Sequence, residues 1–394
     1  MTTPKAPPFF ERLVIVDALR GYALMGLFLV HCVEYFELYW LNPYPSVVNS
    51  LVFGLFGGKA FAIFALCFGL SFHIIMDRAA RRGTDFSGRF VWRLTLLMVI
   101  GVLHGLIYRG DILTVLAPLG LLLIFIHRIR NNWILLALAG FLFLQPELII
   151  RTISALNGAD WALQPPYFLL DQSLNTFANS SFGDILAVNL WDGVHQRMSF
   201  YWTSGRMMQI VGLFILGLVL GRIGFFAQLD RHVTSRRILL GLFLLLGFGL
   251  EALTGSVTQM VPAGPDGFAR QWFGQIWGSY HKLAFTGAQV ILFVEVWRLV
   301  PRVMQTLAPV GRMTLTLYVG QSLLFVPVFY GYGLGLWDDW NQGQALTFGV
   351  ITFGMQMIAA SLWYRHYRYG PLEWLWRAAT FGTVDIPFRR TSAA

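Results

Sequence analysis

Ten apolar runs, each long enough or nearly long enough to cross a bilayer, leave this chain few folds to choose from. They cover about 14–38, 51–76, 91–108, 111–126, 133–152, 207–226, 238–260, 283–299, 307–333 and 343–364. A spanning helix needs roughly 20 mostly apolar residues. The runs are continuous, as in ILLGLFLLLGFGL from Ile238 and MVIGVLHGLIY from Met98, so they predict helices rather than the alternating strands of a membrane barrel. Composition agrees. Charged residues make up 12% of the 394, against roughly 25% in a soluble domain, and mean hydropathy is +0.60. There is too little polar material to coat a water-soluble globule of this size. A disordered chain, a coiled coil, a disulfide scaffold and a nucleic-acid binder are excluded on the same grounds. The expected fold is an all-α, polytopic membrane helix bundle of about ten transmembrane helices, one domain over 1–394.

The formal charge of +9 has to be read by position. With the N-terminus in the cytoplasm, 20 of the 29 Lys and Arg fall on the inner connections and span ends, 6 fall on the outer ones, and Arg20, Lys59 and Arg312 lie within spans. The asymmetry follows the positive-inside rule and puts both termini in the cytoplasm. The first span carries Asp17, Arg20, His31 and Glu34 with no small-residue cleavage site, so it reads as a retained span and not as a signal peptide. Cys32 and Cys67 fall inside spans, which gives no disulfide framework.

Two segments lie outside the spans. The 153–206 stretch is a long extracytoplasmic loop; Phe182–Trp202 is apolar and aromatic enough to form an interfacial helix, as a cover or as a lid. Residues 365–394 form a cytoplasmic amphipathic C-terminal segment, with Trp374 and Trp376 expected at the headgroups.

Ionisable groups inside spans are expensive, so each is a candidate functional residue. The first span has the densest set. Asp17 and Arg20 are i, i+3 neighbours. His31 follows Arg20 by eleven residues, which returns it to within roughly 20° of the same helix face after a rise of roughly 16 Å. Glu34 follows by another i, i+3 step. One stripe thus offers a cation in the inner half of the membrane and a base near the outer surface. A second cluster lies in LHGLIYRGDILTV: His104 stands in an apolar run, and Asp111 follows the Arg109–Gly110 turn, where it serves as a helix cap or as a site residue. Lys59 either snorkels or pairs with a carboxylate. Arg312 marks the inner interface or adds a second cation near Arg20, with Tyr318 and Gln321 on nearby faces. No HExxH, CxxC, P-loop or GxSxG is present.

The blocks RLVIVDALRGYALMGLFLVH, KAFAIFALCFGLSF, GVLHGLIYRGDILTVLAPLG, APVGRMTLTLYVGQS and GPLEWLWRAATFG, in this order, resemble the YeiB-like family of bacterial membrane proteins of unknown function. The resemblance runs from about Arg12 to Gly382. That family is in turn similar to the transmembrane acyltransferases, which include heparan-alpha-glucosaminide N-acetyltransferase and bacterial membrane O-acyltransferases. The O-acyltransferases carry Arg, ten residues, then His in the first span, a spacing that Arg20 and His31 match; many YeiB-like proteins have Asn where this chain has His31. The resemblance implies a bacterial cytoplasmic-membrane enzyme with an acyl-CoA donor, no metal, and a small-molecule or glycan acceptor. Its bilayer-embedded chain would take no nucleic acid and could form a homodimer. In that mechanism Asp17, Arg20, Lys59, Arg312 and Gln321 serve the donor. His31, oriented by Glu34 or Asp111 and accompanied by His104, acts as general base on a hydroxyl or amine at the outer face. The alternative is a transporter or flippase of a polar small molecule, with Asp17, Arg20 and His31 as its binding or proton-relay site.

Overall fold

A computed structural model describes residues 12–166, 173–231 and 233–390; Lys5, one of the inner-side charges, lies outside them, as does the end of the C-terminal segment beyond Arg390. The described residues are helical, apart from turns and an isolated bridge between Tyr367 and Arg389. In chain order the helices are α1 (Val14–Val33), α2 (Val47–Leu55), α3 (Ala60–Arg81), α4 (Ser87–Ile107), α5 (Leu113–Ile126), α6 (Asn132–Phe143), α7 (Pro146–Leu156), α8 (Ser173–Asn179), α9 (Phe182–Thr203), α10 (Arg206–Arg222), α11 (Val233–Met260), α12 (Phe268–Leu299), α13 (Pro301–Met304), α14 (Ala308–Arg312), α15 (Thr314–Phe329), α16 (Gln342–His366) and α17 (Pro371–Phe381).

Every apolar run expected from the sequence falls on one or two of these helices. Among the described residues, six segments are long and apolar enough to cross a membrane, and eight if two bent pairs each count as one span. The bends have local causes. Helices α9 and α10 meet at 67° across Ser204–Gly205, where Gly205 has φ +70°. The α12–α13 segments turn by 118° at Val300–Pro301, where the residue before a proline is steered out of helical geometry. Helices α6 and α7 meet at Gln145–Pro146, where Gln145 takes a left-handed conformation (φ 61°), and together they read as one span.

Helix α1 is the centre of the bundle. It packs against α3, α14 and α16, and 67% of its most apolar window is buried, against 6% for α11. Close packing without a hydrophobic drive relies on small residues. Gly69 of α3 and Gly217 of α10 each face the other helix so closely that a Cβ would sit 2.0 Å from Phe214 O and 2.1 Å from Leu66 O. Gly311 of α14 meets α1 in the same manner, its hypothetical Cβ lying 1.6 Å from Asp17 O. Helix α11 touches chiefly α12, and Glu295 fastens the pair by accepting from Arg236 (3.1 Å), Arg237 (3.4 Å) and Arg298 (3.3 Å). Several charges that look like simple inner-side markers are therefore used in packing.

The segments outside the spans are more structured than a surface cover. Helix α9 buries Asn189, Gln196 and Arg197 and exposes Leu190, Trp191 and Trp202. Asn189 donates to Leu106 O (2.9 Å) and Arg197 to Arg109 O (3.1 Å), so α9 braces the turn between α4 and α5. Helix α17 does not lie free with both tryptophans at headgroups. Trp376 donates to Arg93 O (2.8 Å) under the Arg93 guanidinium, and Glu373 accepts from Leu315 N (2.7 Å), Thr316 N (3.1 Å) and Thr316 Oγ1 (2.6 Å). Those N–H groups open α15 and have no intrahelical partner, so a carboxylate is a favourable cap for them.

Candidate functional site

The packing of α1, α3, α4 and α5 against α14, α15 and α17 leaves a cavity of about 320 Å³, at the lower end of the size range of small-molecule sites. Six arginines line it: Arg12, Arg20, Arg93, Arg312, Arg368 and Arg377; among the described residues, Glu373 is the one carboxylate that does so. The cations are held in place individually. Asp17, buried at 4% exposure, pairs with Arg12 and with Arg20 (Nη1–Oδ1 3.3 Å), and Arg20 also donates to Ser71. Arg93 lies 3.5 Å above the Trp376 ring and Arg312 3.9 Å above that of Tyr364. The Arg312 Nε is buried with no partner, so a donor is left for something else to occupy. Outside the membrane segments, burial pushes the Glu373 carboxyl above its ordinary value, against the lowering effect of its hydrogen bonds from Thr316 and Leu315. With the lone lining carboxylate engaged in capping, the cavity presents an excess of guanidinium groups, a lining whose charge is complementary to an anion with several oxygens.

Beyond the arginines the lining turns apolar and ends at Leu27, Leu97, Ile112, Leu113 and Tyr318. Immediately past this floor lies a fully buried polar centre. Asp111 Oδ1 accepts from His104 Nδ1 at 2.8 Å, and His104 Nε2 lies 2.8 Å from Ser322 Oγ. Asp111 Oδ2 accepts from both Thr114 N and Thr114 Oγ1 at 2.8 Å. Asp111 is thus both helix cap and site residue: one oxygen caps α5, the other holds the imidazole. Acceptance by the carboxylate fixes the proton on Nδ1, which leaves the Nε2 lone pair to accept from the Ser322 hydroxyl. The Tyr318 ring stands between this centre and the cavity, its centroid 4.9 Å from that of His104 and its hydroxyl accepting from Ile112 N at 3.0 Å.

The third group surrounds His31. Its Nδ1 lies 2.9 Å from Glu34 Oε1 and 2.9 Å from the Tyr108 hydroxyl, and Glu34 also accepts from Trp40 Nε1 (3.3 Å). Among the described residues no side chain engages His31 Nε2, and the His31 side chain keeps 18% exposure. Tyr108 is the wall between the two histidines, with ring centroids 5.2 Å from His31 and 6.3 Å from His104. Just past Glu34 the backbone takes three successive left-handed residues, Tyr35 (φ 49°), Phe36 (φ 50°) and Glu37 (φ 84°). Such residues cost on the order of 1–3 kcal/mol each unless their surroundings enforce them. Here the surroundings do. Tyr35 donates to Trp340 O (2.9 Å), Tyr330 donates to Phe36 O (3.0 Å), and Glu37 pairs with Arg109. The turn stacks Phe36 on His31, with centroids 5.7 Å apart.

The expected site residues are therefore distributed. Arg20 and Arg312 line one cavity and Asp17 positions the first of them. His31 and Glu34 pair, but they do not line the cavity with Arg20, because Leu27, one turn before His31, already belongs to its floor. Asp111 orients His104, not His31. Two residues grouped with the donor site lie elsewhere. Lys59 is buried between Phe53 O (3.3 Å) and Gly57 O (3.4 Å) at the α2–α3 corner, and Gln321 donates to Gln356 (2.8 Å) on α16; neither lines the cavity. Arg12, Arg93, Arg368 and Arg377 had counted only as inner-side charge, although Arg12 and Arg377 fall within two of the family-like blocks. Ser322 and Tyr108 carried no signal: a serine in GQS and a tyrosine at a helix end are common. Among the described residues no three metal-ligating side chains converge.

Residues 220–383 match the model of a family described as a protein of unknown function, DUF418. The chain is 28% identical to the uncharacterized protein YeiB of Escherichia coli, covering 97% of this chain and all of that one. It is 25% identical to the uncharacterized protein YxaH of Bacillus subtilis and 23% identical to an uncharacterized 39.9 kDa protein of Bacillus acidopullulyticus, in both cases over 94% of each chain. The similarity to these uncharacterized bacterial proteins thus extends along nearly the whole sequence.

Proposed function

Starting from that likeness to YeiB-like membrane proteins, we propose that this chain is an acyltransferase of the bacterial cytoplasmic membrane, moving an acyl group from a cytoplasmic acyl-CoA to a hydroxyl or amine at the outer face. The observation that carries the reading is the cavity whose mouth is ringed by arginines and whose depth is apolar. That gradient suits a donor with phosphates at one end and a thin, weakly polar arm at the other. The charge asymmetry of the sequence puts the arginine end in the cytoplasm, where acyl-CoA is made. Arg20 and Arg312 bind phosphate oxygens, and the arm runs along Leu27 and Leu97 toward Tyr318. On the opposite side His31, held by Glu34, presents Nε2 to an acceptor and takes its proton; a positioned base of this kind contributes about 10²–10⁴ in rate.

The test uses purified full-length protein. Acetyl-CoA and a long-chain acyl-CoA should raise its unfolding temperature more than inorganic phosphate does at the same concentration, and thiol release in the presence of a membrane glycan extract should be lost in His31→Ala. Absence of stabilisation by any acyl-CoA overturns the reading. A cavity with arginines toward one end and apolar side chains toward the other also suits the binding site of a transporter. Alternating accessibility of cysteines placed at Leu27 and at His31 would favour that second reading.

A further inference from the structure

The buried centre between the cavity floor and His31 has a role to which neither the donor site nor the His31 base extends. Its three groups are ordered as in a nucleophilic relay: carboxylate, imidazole, hydroxyl, with 2.8 Å at each link. The capping of α5 by the other oxygen of Asp111 fixes the carboxylate, and the carboxylate fixes the tautomer. In the neutral imidazole, Ser322 is then hydrogen-bonded to the nitrogen that carries the lone pair and accepts. A satisfied structural histidine needs partners, but it does not need this polarity, and a helix serine ordinarily bonds its own preceding turn. The position is equally specific. Ser322 follows Tyr318 by four residues on the same face of α15, and Tyr318 and Ile112 form the floor of the arginine cavity. Tyr108, on the other side of His104, touches His31.

We propose that Ser322 is an acyl-accepting nucleophile, so that transfer proceeds in two steps through a Ser322 ester. The inference rests on the acyltransferase reading. In the first step Ser322 Oγ bonds to the thioester carbonyl carbon while its proton passes to His104 Nε2. The carbon–sulfur bond breaks, the electron pair leaves with sulfur, and CoA departs as a thiolate into the arginine-lined cavity. The imidazolium is held by Asp111. In the second step the acceptor hydroxyl gives its proton to His31 Nε2 and its oxygen attacks the ester carbonyl. The ester bond to Ser322 Oγ breaks, and Oγ recovers the proton stored on His104. His31, which keeps access to solvent, then releases its proton. The Tyr318 ring, which lines the cavity and packs on His104, must move for the thioester to reach Ser322, and rotation of that ring is the gate.

The experiment incubates detergent-purified full-length protein with acetyl-CoA labelled in the acetyl group, without acceptor, and locates label by peptide mass spectrometry. His31→Ala protein should accumulate acetyl on the Ser322 peptide, because the step that discharges the ester lacks its base. Ser322→Ala should carry no acetyl and lose transfer at least 10²-fold while acetyl-CoA still stabilises it; Ser322→Cys should take up acetyl as a thioester. Asp111→Asn should slow acetylation and shift its pH profile, which loss of a structural bond alone does not do. Undiminished transfer by Ser322→Ala, or acetyl found on another residue and none on Ser322, overturns the nucleophile and leaves the acyltransferase standing. No donor binding and no transfer by the unaltered protein overturns both.

Discussion

Arg312 is the cleanest place to test whether the cavity binds a polyanionic donor. Its guanidinium lies 3.9 Å above Tyr364 and its buried Nε has no partner, whereas Arg20 is tied to Asp17 and Ser71. Removing Arg312 therefore costs the fold a single cation–π contact, about 0.5–1 kcal/mol. A hydrogen bond to a charged group is worth about 1.5–3 kcal/mol, so its loss at a phosphate weakens binding by on the order of 30-fold at about 2 kcal/mol. At a donor concentration 100 times the dissociation constant, ligand adds about 2.7 kcal/mol of stability, and a 30-fold weaker site retains about 0.9 kcal/mol of it. The Arg312→Ala protein should thus unfold within a few degrees of the parent without ligand, yet keep only about a third of the stabilisation by acetyl-CoA. Thermal unfolding by intrinsic tryptophan fluorescence, with and without acetyl-CoA at two salt concentrations, reads both. The reasoning fails if the ligand-induced shift is unchanged, or if the apo protein loses as much stability as the complex does.

Three further outcomes follow from the packing. Gly311→Ala places a Cβ 1.6 Å from Asp17 O with backbone on both sides, so it should prevent accumulation of folded protein, while Gly54→Ala, whose Cβ meets nothing within 4 Å, should be silent; size-exclusion profiles of the two variants decide. Asp17→Asn leaves Arg12 and Arg20 without their shared carboxylate and should lower stability by about 1–3 kcal/mol, read as a drop in unfolding temperature that Arg12→Ala, whose side chain is 52% exposed, does not reproduce. The third concerns pH. Burial raises the Glu373 carboxyl above its ordinary value, so the folded state holds that proton more tightly than the unfolded chain does. The contribution of Glu373 to stability is then largest below the unfolded carboxylate range and falls as pH rises through that range to the folded value. Glu373→Gln should flatten this part of the stability profile upward from the ordinary carboxylate range near about pH 4; an identical slope in both proteins would refute it.

The apolar runs alone fixed the class of fold, because a chain this poor in charge can satisfy its backbone only within helices once it leaves water. The same sequence placed Arg20, Arg312, His31, Glu34, His104 and Asp111 as candidates, because an ionisable group in a span is costly and therefore visible. Contact between spans was beyond it. The helical period that aligns His31 with Arg20 on α1 holds, yet whether one cavity reaches both depends on what α4, the start of α5 and α15 insert between them, and they insert Leu97, Ile112, Leu113 and Tyr318. Asp111 could be assigned to either histidine by sequence; the turn at Arg109 and the approach of α15 gave it to His104. Ser322 stands 218 residues from His104, and an uncharged hydroxyl costs a membrane helix too little to be noticed. Helix α17, amphipathic by composition, was free to float at the headgroups until the unpaired N–H groups of α15 supplied a reason for Glu373 to dock it. Hydrophobicity and charge are properties each segment carries by itself. The meeting of a hydroxyl with an imidazole, or of a carboxylate with a distant helix end, exists only after the segments have packed.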